Sequence, residues 1–300
     1  MKRQVLLLGG CCIDEILECD HLPSSGDDIL IKSKKVMLGG SCLNVATVLK
    51  RLGKEPVLYS ALDPNVYAQY IQDLKDEGFD CSCLYEEQGQ TGTCTILIDK
   101  TKERTFLTYN GIEGNFDENR IPQEIINEID WIYLSGIFLT YKDESQKIVP
   151  FLLRMVHQGK HIIFDLGSLI NQIEITLLKE CVELSSIIKG NEYEINCLVK
   201  RLSIPHITNI IKDNLRVIIK TCGSEGSITY VENNILSIPS VEVEPIDTTG
   251  SGDSFVGAFI SSLLDNLTTQ ECLEIASKFG ALATRHPGGR IKLNEKKDKA

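Results

Sequence analysis

The sequence predicts a three-layer α/β fold, in which a mostly parallel central sheet carries helices on both faces and a small β-sheet forms a lid. Short apolar runs alternate with helical patterns along most of the chain, as strands and crossover helices do in a parallel sheet. Two polar strand segments interrupt this rhythm and supply the lid. A chain of 300 residues can bury one substantial core, so we expect a single domain over residues 1–300.

Composition and charge narrow the class of protein. An apolar content of 42% and a charged content of 24% are ordinary for a soluble globular chain. The net charge of -11 argues against a nucleic-acid partner, because phosphate-binding surfaces of that kind carry a basic excess. No run approaches the roughly 18 apolar residues that a membrane span needs. The eleven cysteines are scattered, several of them inside apolar runs, which indicates reduced thiols in a cytoplasmic protein.

The N-terminal stretch predicts the first strand and the first helix. Residues 5–8 are an apolar run that ends in two glycines, as a buried strand does. Asp14 follows the carboxyl end of this strand, where ligands bind in open α/β sheets, although an acid on a loop explains its position equally well. Ser41 is expected to cap a helix whose apolar stripe covers residues 45–52, with Asn44 in the first turn and facing away from the stripe.

Two segments predict the lid, at about residues 15–38 and 92–112. The alternation over residues 29–33 indicates an exposed strand in the first segment. In the second segment, residues 93–99 and 105–109 flank a polar tip, which is typical of a hairpin.

Beyond the lid, the regular alternation predicts the rest of the central sheet. Gly53 and Gly78 are expected to end the first two helices. Strands are predicted at residues 57–62, 131–134, 161–165, 187–188 and 217–221, and helices at residues 67–74, 148–156, 195–202 and 276–284.

The stretch D-T-T-G-S-G-D-S-F-V-G-A-F at residues 247–259 carries the strongest chemical signal. Gly250 and Gly252 allow a tight turn and a close approach to a ligand, and an apolar helical pattern follows them. The turn therefore leads into a helix N-terminus, which binds anions. Asp253 in the first helical turn would repel a stored phosphate, but it is well placed to take a proton from a hydroxyl that attacks a phosphoryl group. An ordinary first-turn acid is the alternative.

Two strings together resemble the signatures of the ribokinase (PfkB) family of sugar kinases. They are G-G-S-C-L-N-V-A at residues 39–46 and D-T-T-G-S-G-D-S-F at residues 247–255. The resemblance spans nearly the whole chain and includes the lid segments. It implies a ribokinase-like fold and an ATP-dependent kinase that phosphorylates a primary hydroxyl of a small sugar. A nucleoside kinase of the same fold and a sugar sensor without catalysis are the alternatives.

The resemblance also implies a role for each motif. Asp253 would be the general base, and three amides would form an anion hole, those of Gly250, Ser251 and Gly252. Four residues would bind the sugar hydroxyls, namely Asp14, Gly39, Gly40 and Asn44.

Further motifs match the nucleotide and metal segments of the family. Asn191 and Glu194 match N-x-x-E and would orient Mg²⁺, although a helix cap with an acid in the first turn explains the same letters. The string T-C-G-S-E-G matches the family's nucleotide segment and brings in three residues, Thr221, Gly223 and Gly226. A monovalent cation such as K⁺ is a further possibility, near Asp247, Thr249 and the turn at residues 286–289.

Some positions depart from the family pattern. D-L-G-S-L at residues 165–169 stands where many members carry D-P-N-x-R, and Ser41 stands where ribokinases often carry lysine. Both departures weaken the match to particular sugar kinases. For a nucleoside acceptor, three aromatic residues could form the wall of a base pocket, namely Phe106, Tyr109 and Phe138. Ile29, Ile31 and the hairpin would allow a homodimer through the lid, because an open sheet edge invites pairing.

Overall fold

The computed structural model describes residues 5–101, 103–141, 145–212, 214–232, 234–285 and 288–290. Its strands, in chain order, are β1 (Val5–Leu8), β2 (Cys12–Glu18), β3 (Ser33–Gly39), β4 (Pro56–Leu62), β5 (Leu84–Glu86), β6 (Thr93–Ile98), β7 (Arg104–Tyr109), β8 (Trp131–Ser135), β9 (His161–Asp165), β10 (Ile187–Asn191), β11 (Val217–Thr221), β12 (Ser227–Val231) and β13 (Asn234–Ile238). Its α-helices are α1 (Ser41–Arg51), α2 (Pro64–Asp76), α3 (Gln123–Glu128), α4 (Ile148–His157), α5 (Ile175–Leu184), α6 (Glu192–Leu202), α7 (Ser251–Leu264) and α8 (Thr269–Ala283).

A nine-stranded sheet forms the centre of the molecule, in the order β13-β12-β11-β10-β9-β8-β1-β4-β5. All neighbours from β5 to β11 pair in parallel, and only β12 and β13 add antiparallel pairs at one edge. The predicted mostly parallel sheet is therefore confirmed. The carboxyl ends of β9, β10 and β11 lie side by side, so residues that follow these strands meet at one edge of the sheet.

Helices cover both faces of this sheet, as alternate residues of the strands require. Val5 and Leu7 pack with α1, α2, α7 and α8, whereas Leu6 and Leu8 pack with α3 to α6. All four of these β1 side chains are fully buried. Strands that are buried on both faces read as continuous apolar runs, which is why β1 was predicted correctly from its sequence.

A second sheet has four strands in the order β3-β2-β6-β7 and is called the small sheet below. It contains both predicted lid segments, but it begins earlier, because β2 starts at Cys12. Asp14 therefore lies on a strand and not on a loop. The strand predicted over residues 29–33 was wrong: β3 starts at Ser33, which pairs with Glu18 at the end of β2, so the residues before it have no strand to pair with.

Helix ends account for the other differences from the sequence predictions. Ser41 is not a cap; Gly40 is the N-cap of α1 with φ of 99°, and the Ser41 hydroxyl lies 3.2 Å from the Ser135 hydroxyl. Helices α6 and α8 begin before their apolar stripes, because their first turns are polar capping boxes. The predictions missed α3, α5 and the β12–β13 hairpin. All eleven cysteines are free thiols, and most of the buried ones lie in the central core.

Candidate active site

The glycine turn at residues 250–252 opens helix α7. Gly250 is its N-cap in the left-handed region, with φ of 71°, and an added Cβ would lie 2.3 Å from the Gly289 carbonyl oxygen. Glycine is therefore required here by both conformation and space. The Ser251 hydroxyl donates to the Gly280 carbonyl of α8 at 2.9 Å, which ties the turn to the neighbouring helix. The first amides of α7 have no partner within the helix, as is usual at a helix N-terminus. Of the three amides predicted to form an anion hole, that of Ser251 donates to the Thr248 carbonyl at 3.2 Å, which removes it from the set.

Asp253 lies in the first turn of α7 and is held by Asn44 of α1. The Asn44 amide donates to Asp253 Oδ2 at 2.7 Å, although 209 residues separate the two. Burial raises the pKa of Asp253 from 3.8 to about 6; the Asn44 hydrogen bond and the Lys189 charge oppose this rise, and the charges of Asp165 and Asp14 add to it. A carboxylate with a pKa near neutrality is suited to accept a proton from a hydroxyl.

Close packing of α1 against α7 brings Asn44 and Asp253 together. An added Cβ on Gly257 of α7 would lie 2.9 Å from Val48 Cβ and 3.1 Å from the Val45 carbonyl oxygen of α1. A glycine at this position lets the two helices approach closely. The predicted orientation of Asn44, away from the apolar stripe, agrees with this contact.

Asp14 reaches the same site from the small sheet. An added Cβ on Gly39 would lie 2.0 Å from Asp14 Oδ2, so Gly39 leaves room for this carboxylate. Gly40 follows in the left-handed region and begins α1. Burial raises the pKa of Asp14 to about 6, and the Cys12 thiol, 3.7 Å from Oδ1, lowers it slightly. Of the predicted sugar-binding residues, Asp14, Gly39 and Gly40 therefore adjoin one another, and Asn44 contacts Asp253.

The N-x-x-E motif forms a capping box at the start of α6. The Asn191 side chain accepts from the Glu194 amide at 2.9 Å, and Glu194 Oε2 accepts from the Asn191 amide at 2.8 Å. The helix-cap interpretation of the N-x-x-E motif therefore agrees with the structure. Glu194 is buried in this position, at 6% exposure. Burial raises the pKa of Glu194, and the Lys189 charge opposes this rise. Among the residues that the structure describes, no group of three or more acidic, histidine or cysteine side chains could hold a metal ion.

The predicted nucleotide segment lies beside this motif. Thr221 ends β11 opposite Asn191 of β10. Gly226 is required by packing, because an added Cβ would lie 2.1 Å from the Ile238 carbonyl oxygen. Gly223 has φ of 57° and open space around its Cα, so it presents backbone to solvent at this edge of the sheet. Packing therefore explains why residue 226 is a glycine, whereas Gly223 is accessible to a ligand.

A buried ion pair beneath the glycine turn was missed as a functional feature. Lys189 of β10 donates to Asp165 of β9 at 3.1 and 3.2 Å, and the Tyr133 hydroxyl donates to Asp165 at 3.1 Å. Both charged side chains are 8% exposed. The sequence signal was present, since a lysine inside the apolar run I-I-K-G-N has no reason to be there as a surface residue.

A second missed contact joins the small sheet to residues 247–249, just before the glycine turn. Arg104 of β7 forms an ion pair with Asp247 and donates to the Thr249 hydroxyl. Asp247 is buried, and it also accepts from the amides of Thr249 at 2.8 Å and Gly288 at 2.5 Å. Both oxygens of the carboxylate considered for K⁺ are thus used by donors of this chain. His286, in the same prediction, lies outside the described residues.

The three aromatic residues considered for a base pocket lie in three different places. Phe138 is fully buried among core aromatic rings and does not line a site. Phe106 and Tyr109 are both about half exposed, at 52% and 54%. Through the pairs Asp14–Cys94 and Cys94–Thr108, Phe106 shares the Asp14 face of the small sheet, whereas Tyr109 lies on the opposite face. Only Phe106 is therefore on the face that contacts the site.

Comparison with known proteins identifies the family. The model of the pfkB family carbohydrate kinases matches residues 2–297, and the chain belongs to this family. The uncharacterized sugar kinase YegV of Escherichia coli is 25% identical over 303 residues, which cover 96% of this chain and 90% of YegV. A nucleoside kinase of Methanothermobacter thermautotrophicus is 26% identical over 293 residues, which cover 97% of this chain and 92% of that protein.

Solved structures confirm the ribokinase-like fold. The nucleoside kinase of Methanocaldococcus jannaschii has a TM-score of 0.82 at 21% identity, covering 97% of this chain and 95% of that one. The ribokinase of Thermotoga maritima has a TM-score of 0.81 at 20% identity, covering 96% and 95%. At these identities the likeness shows the fold alone.

Family membership makes this chain an ATP-dependent carbohydrate kinase. Relatives named for sugars and relatives named for nucleosides both occur, so the acceptor has to be argued from the site itself. In the described part of the chain, no helix is long and apolar enough to cross a membrane.

Proposed function

We propose that this protein transfers a phosphoryl group from ATP to a primary hydroxyl of a small sugar, with Asp253 as the general base. The observation that carries the proposal is the position of Asp253 in the first turn of α7. It directly follows the glycine turn, is oriented by Asn44 and has a pKa raised by burial to about 6. Asp14 lies close enough for its charge to act on Asp253, so an acceptor bound by Asp14 would be near the base.

The roles of the residues follow from these positions. Bound ATP supplies the phosphoryl group. Asp253 takes the proton from the attacking hydroxyl, and the amides of Gly250 and Gly252 donate to the oxygens on which charge develops. Asp14 accepts hydrogen bonds from neighbouring sugar hydroxyls, which fixes the acceptor. The small sheet covers the acceptor as a lid and excludes water, which limits wasteful hydrolysis of ATP.

The proposal includes Mg²⁺ and leaves out a monovalent cation. The buried Glu194 carboxylate keeps lone pairs beyond its capping bonds, and Asn191 holds it beside the nucleotide segment, so these two residues fit a role in holding Mg²⁺ through its water ligands. Asp247 forms an ion pair with Arg104, so the proposal gives this carboxylate no role in binding K⁺.

The test is release of ADP from ATP and Mg²⁺ in the presence of pentoses, hexoses, keto-sugar acids and nucleosides. A sugar that stimulates release, with the stimulation lost in Asp253→Asn, would support both the reaction and the acceptor class. Measurable ATP binding without stimulation by any compound would favour the non-catalytic sugar sensor and contradict the proposal.

A nucleoside acceptor is the second candidate, and the position of Phe106 favours it. Phe106 pairs with Ile96, which pairs with Ile16, so an apolar row crosses the small sheet two residues along from Asp14. A ribosyl group held by Asp14 would bring its base to this row, where an exposed aromatic ring can stack. Phe106→Ala would then raise the KM for a nucleoside at least tenfold and leave the KM for ribose unchanged.

A homodimer through the small sheet also belongs to the proposal. The face opposite Asp14 exposes three apolar side chains, namely Val36, Leu107 and Tyr109. Apolar side chains on an open sheet favour association. Light scattering of the purified chain tests this, with Leu107→Asp expected to give monomer. A monomeric wild-type chain at micromolar concentration would contradict it.

A further inference from the structure

The buried pair Lys189–Asp165 is outside the roles proposed so far, although it lies against the catalytic turn. An added Cβ on Gly252 would lie 3.1 Å from Lys189 Nζ. The ammonium is therefore beside the Cα of Gly252, whose amide is one of those proposed for the anion hole. Burying a lysine at 6% exposure is costly unless it is paired, and Asp165 accepts two hydrogen bonds from it.

Several negative charges surround this single ammonium. Asp165 is bonded to it, and Glu194 and Asp253 both act on it electrostatically. Burial lowers the pKa of Lys189, and the charge of Asp165 together with those of Glu194 and Asp253 outweighs burial, so the net direction is upward. Lys189 is therefore a fixed positive charge at the point where the proposed base, the anion hole and the N-x-x-E motif meet.

We propose that Lys189 is a positioning residue for phosphoryl transfer, which acts through the Gly252 turn and Asp253 and is itself held in place by Asp165. The inference rests on the proposed reaction at Asp253. In a site from which water is excluded, a fixed positive charge stabilises negative charge more strongly than it would in water. Lys189 would thus favour both the ionised base and the charge that develops at the turn.

A merely structural ion pair and a positioning charge predict different results for the two partners. If the pair is only structural, loss of either partner costs about the same. If Lys189 acts by its charge, Lys189→Met should lower kcat roughly tenfold or more, with little change in the KM for ATP. Asp165→Asn keeps the ammonium and Tyr133 keeps an acceptor, so kcat should fall by no more than about threefold.

The acid limb of kcat/KM is the second readout, because it reports the titration of Asp253. The titratable and polar groups that face Asp253 come from five other elements and are Asp14, Cys42, Asn44, Tyr133, Asp165 and Lys189. Removing the positive charge in Lys189→Met moves the limb to higher pH. Removing the negative charge in Asp165→Asn moves it to lower pH.

The experiment measures kcat, KM and pH profiles for Lys189→Met, Lys189→Arg, Asp165→Asn and the double variant. Lys189→Arg should recover part of kcat, and the double variant, which buries no unpaired charge, should fold and behave like Lys189→Met. Lys50→Met, which breaks a half-buried pair with Glu55 elsewhere, is the matched control. Carboxyl NMR titration of Asp253 in the ligand-free protein gives the same shifts without turnover, with Asp253→Asn assigning the signal.

The outcomes separate this inference from the proposed function. Equal losses in Lys189→Met and Asp165→Asn, or an unmoved Asp253 titration in both, would overturn the positioning role while the wild-type enzyme remains an active kinase. A wild-type chain that phosphorylates no acceptor would instead overturn the proposed function, and the NMR titration would still test the electrostatic coupling.

Discussion

Asp253 and Asp14 are the same chemical group with the same raised pKa, but they belong to two differently built regions. Burial raises the pKa of both to about 6. Asp253, in the body of the molecule, is held by Asn44 at 2.7 Å and lies near a fixed ammonium. Within the described part of the chain, the side chain that hydrogen-bonds to Asp14, on the small sheet, is the Cys12 thiol at 3.7 Å.

This difference suggests a division of work. A base for proton transfer must be oriented before the acceptor binds, and the body supplies that orientation through close packing of α1 on α7. A carboxylate that binds sugar hydroxyls instead needs free lone pairs, and the small sheet leaves those of Asp14 largely unused. The four predictions below test this contrast between body and small sheet, from the largest expected effect to the smallest.

Asp253→Asn should lower kcat by about 10²–10⁴-fold, because it removes the proposed general base. The KM for ATP should stay within a factor of about two. Since the folded state raises the pKa of Asp253 from 3.8 to about 6, its stability contribution is complete below pH 3.8 and is lost as pH rises through 6. The asparagine variant should therefore unfold at pH 7.5 at the same or a higher temperature. Turnover close to wild type would remove Asp253 from the mechanism.

Asp14→Asn should raise the KM for the acceptor about 10- to 100-fold, since a charged hydrogen-bond acceptor is lost. In wild type, log kcat/KM for the acceptor should fall with a slope of two below about pH 6, because both carboxylates must be ionised. In Asp14→Asn the slope should be one. Glu15→Gln, on the opposite face and paired with Lys34, is the matched control and should match wild type. An unchanged slope would exclude Asp14 from acceptor binding.

Gly257→Ala should destabilise the body by about 1–3 kcal/mol, because the new Cβ would overlap Val48 of α1. Chemical denaturation measures this change. Gly280→Ala on α8 is the control. Its new Cβ would lie 3.4 Å from Phe255, an ordinary contact distance, and alanine has a higher helix propensity than glycine, so this variant should not lose stability. Equal stability of the two variants would mean that α1 and α7 do not depend on this close approach.

Arg104→Met should give the smallest effect, about a fivefold loss in kcat/KM for the acceptor. It removes one ion pair between the small sheet and the buried Asp247, which keeps the amides of Thr249 and Gly288 as donors. Hydrolysis of ATP without acceptor should rise, since the small sheet would close less firmly. Lys32→Met breaks an exposed pair with Asp20, which lies just beyond the ends of β2 and β3, and should change neither rate. Equal rates in the two variants would argue against a functional link between the small sheet and residues 247–249.

Much of the fold could be predicted from the sequence because the central strands are buried on both faces. Residues 5–8 could be predicted as a strand from their own apolar sequence. The glycine turn before Asp253 predicted the N-terminus of a helix in the same way. The small sheet was harder, since a half-exposed strand such as β2 takes its identity from its partners. The same reason explains the wrongly predicted strand at residues 29–33. The β2–β3 pairing stops at Glu18 and Ser33, so the residues before Ser33 have no partner strand.

The sequence by itself determined the family, the glycine turn and the residue types of the site. Only the tertiary structure decided which of them meet. Asn44 and Asp253 are 209 residues apart and touch because α1 packs on α7. Neither Lys189 nor Arg104 was predicted as a site residue, and their importance comes from the carboxylates that the fold places beside them. Local patterns report the burial and turns of a segment, whereas contacts between distant segments depend on packing that no local pattern encodes.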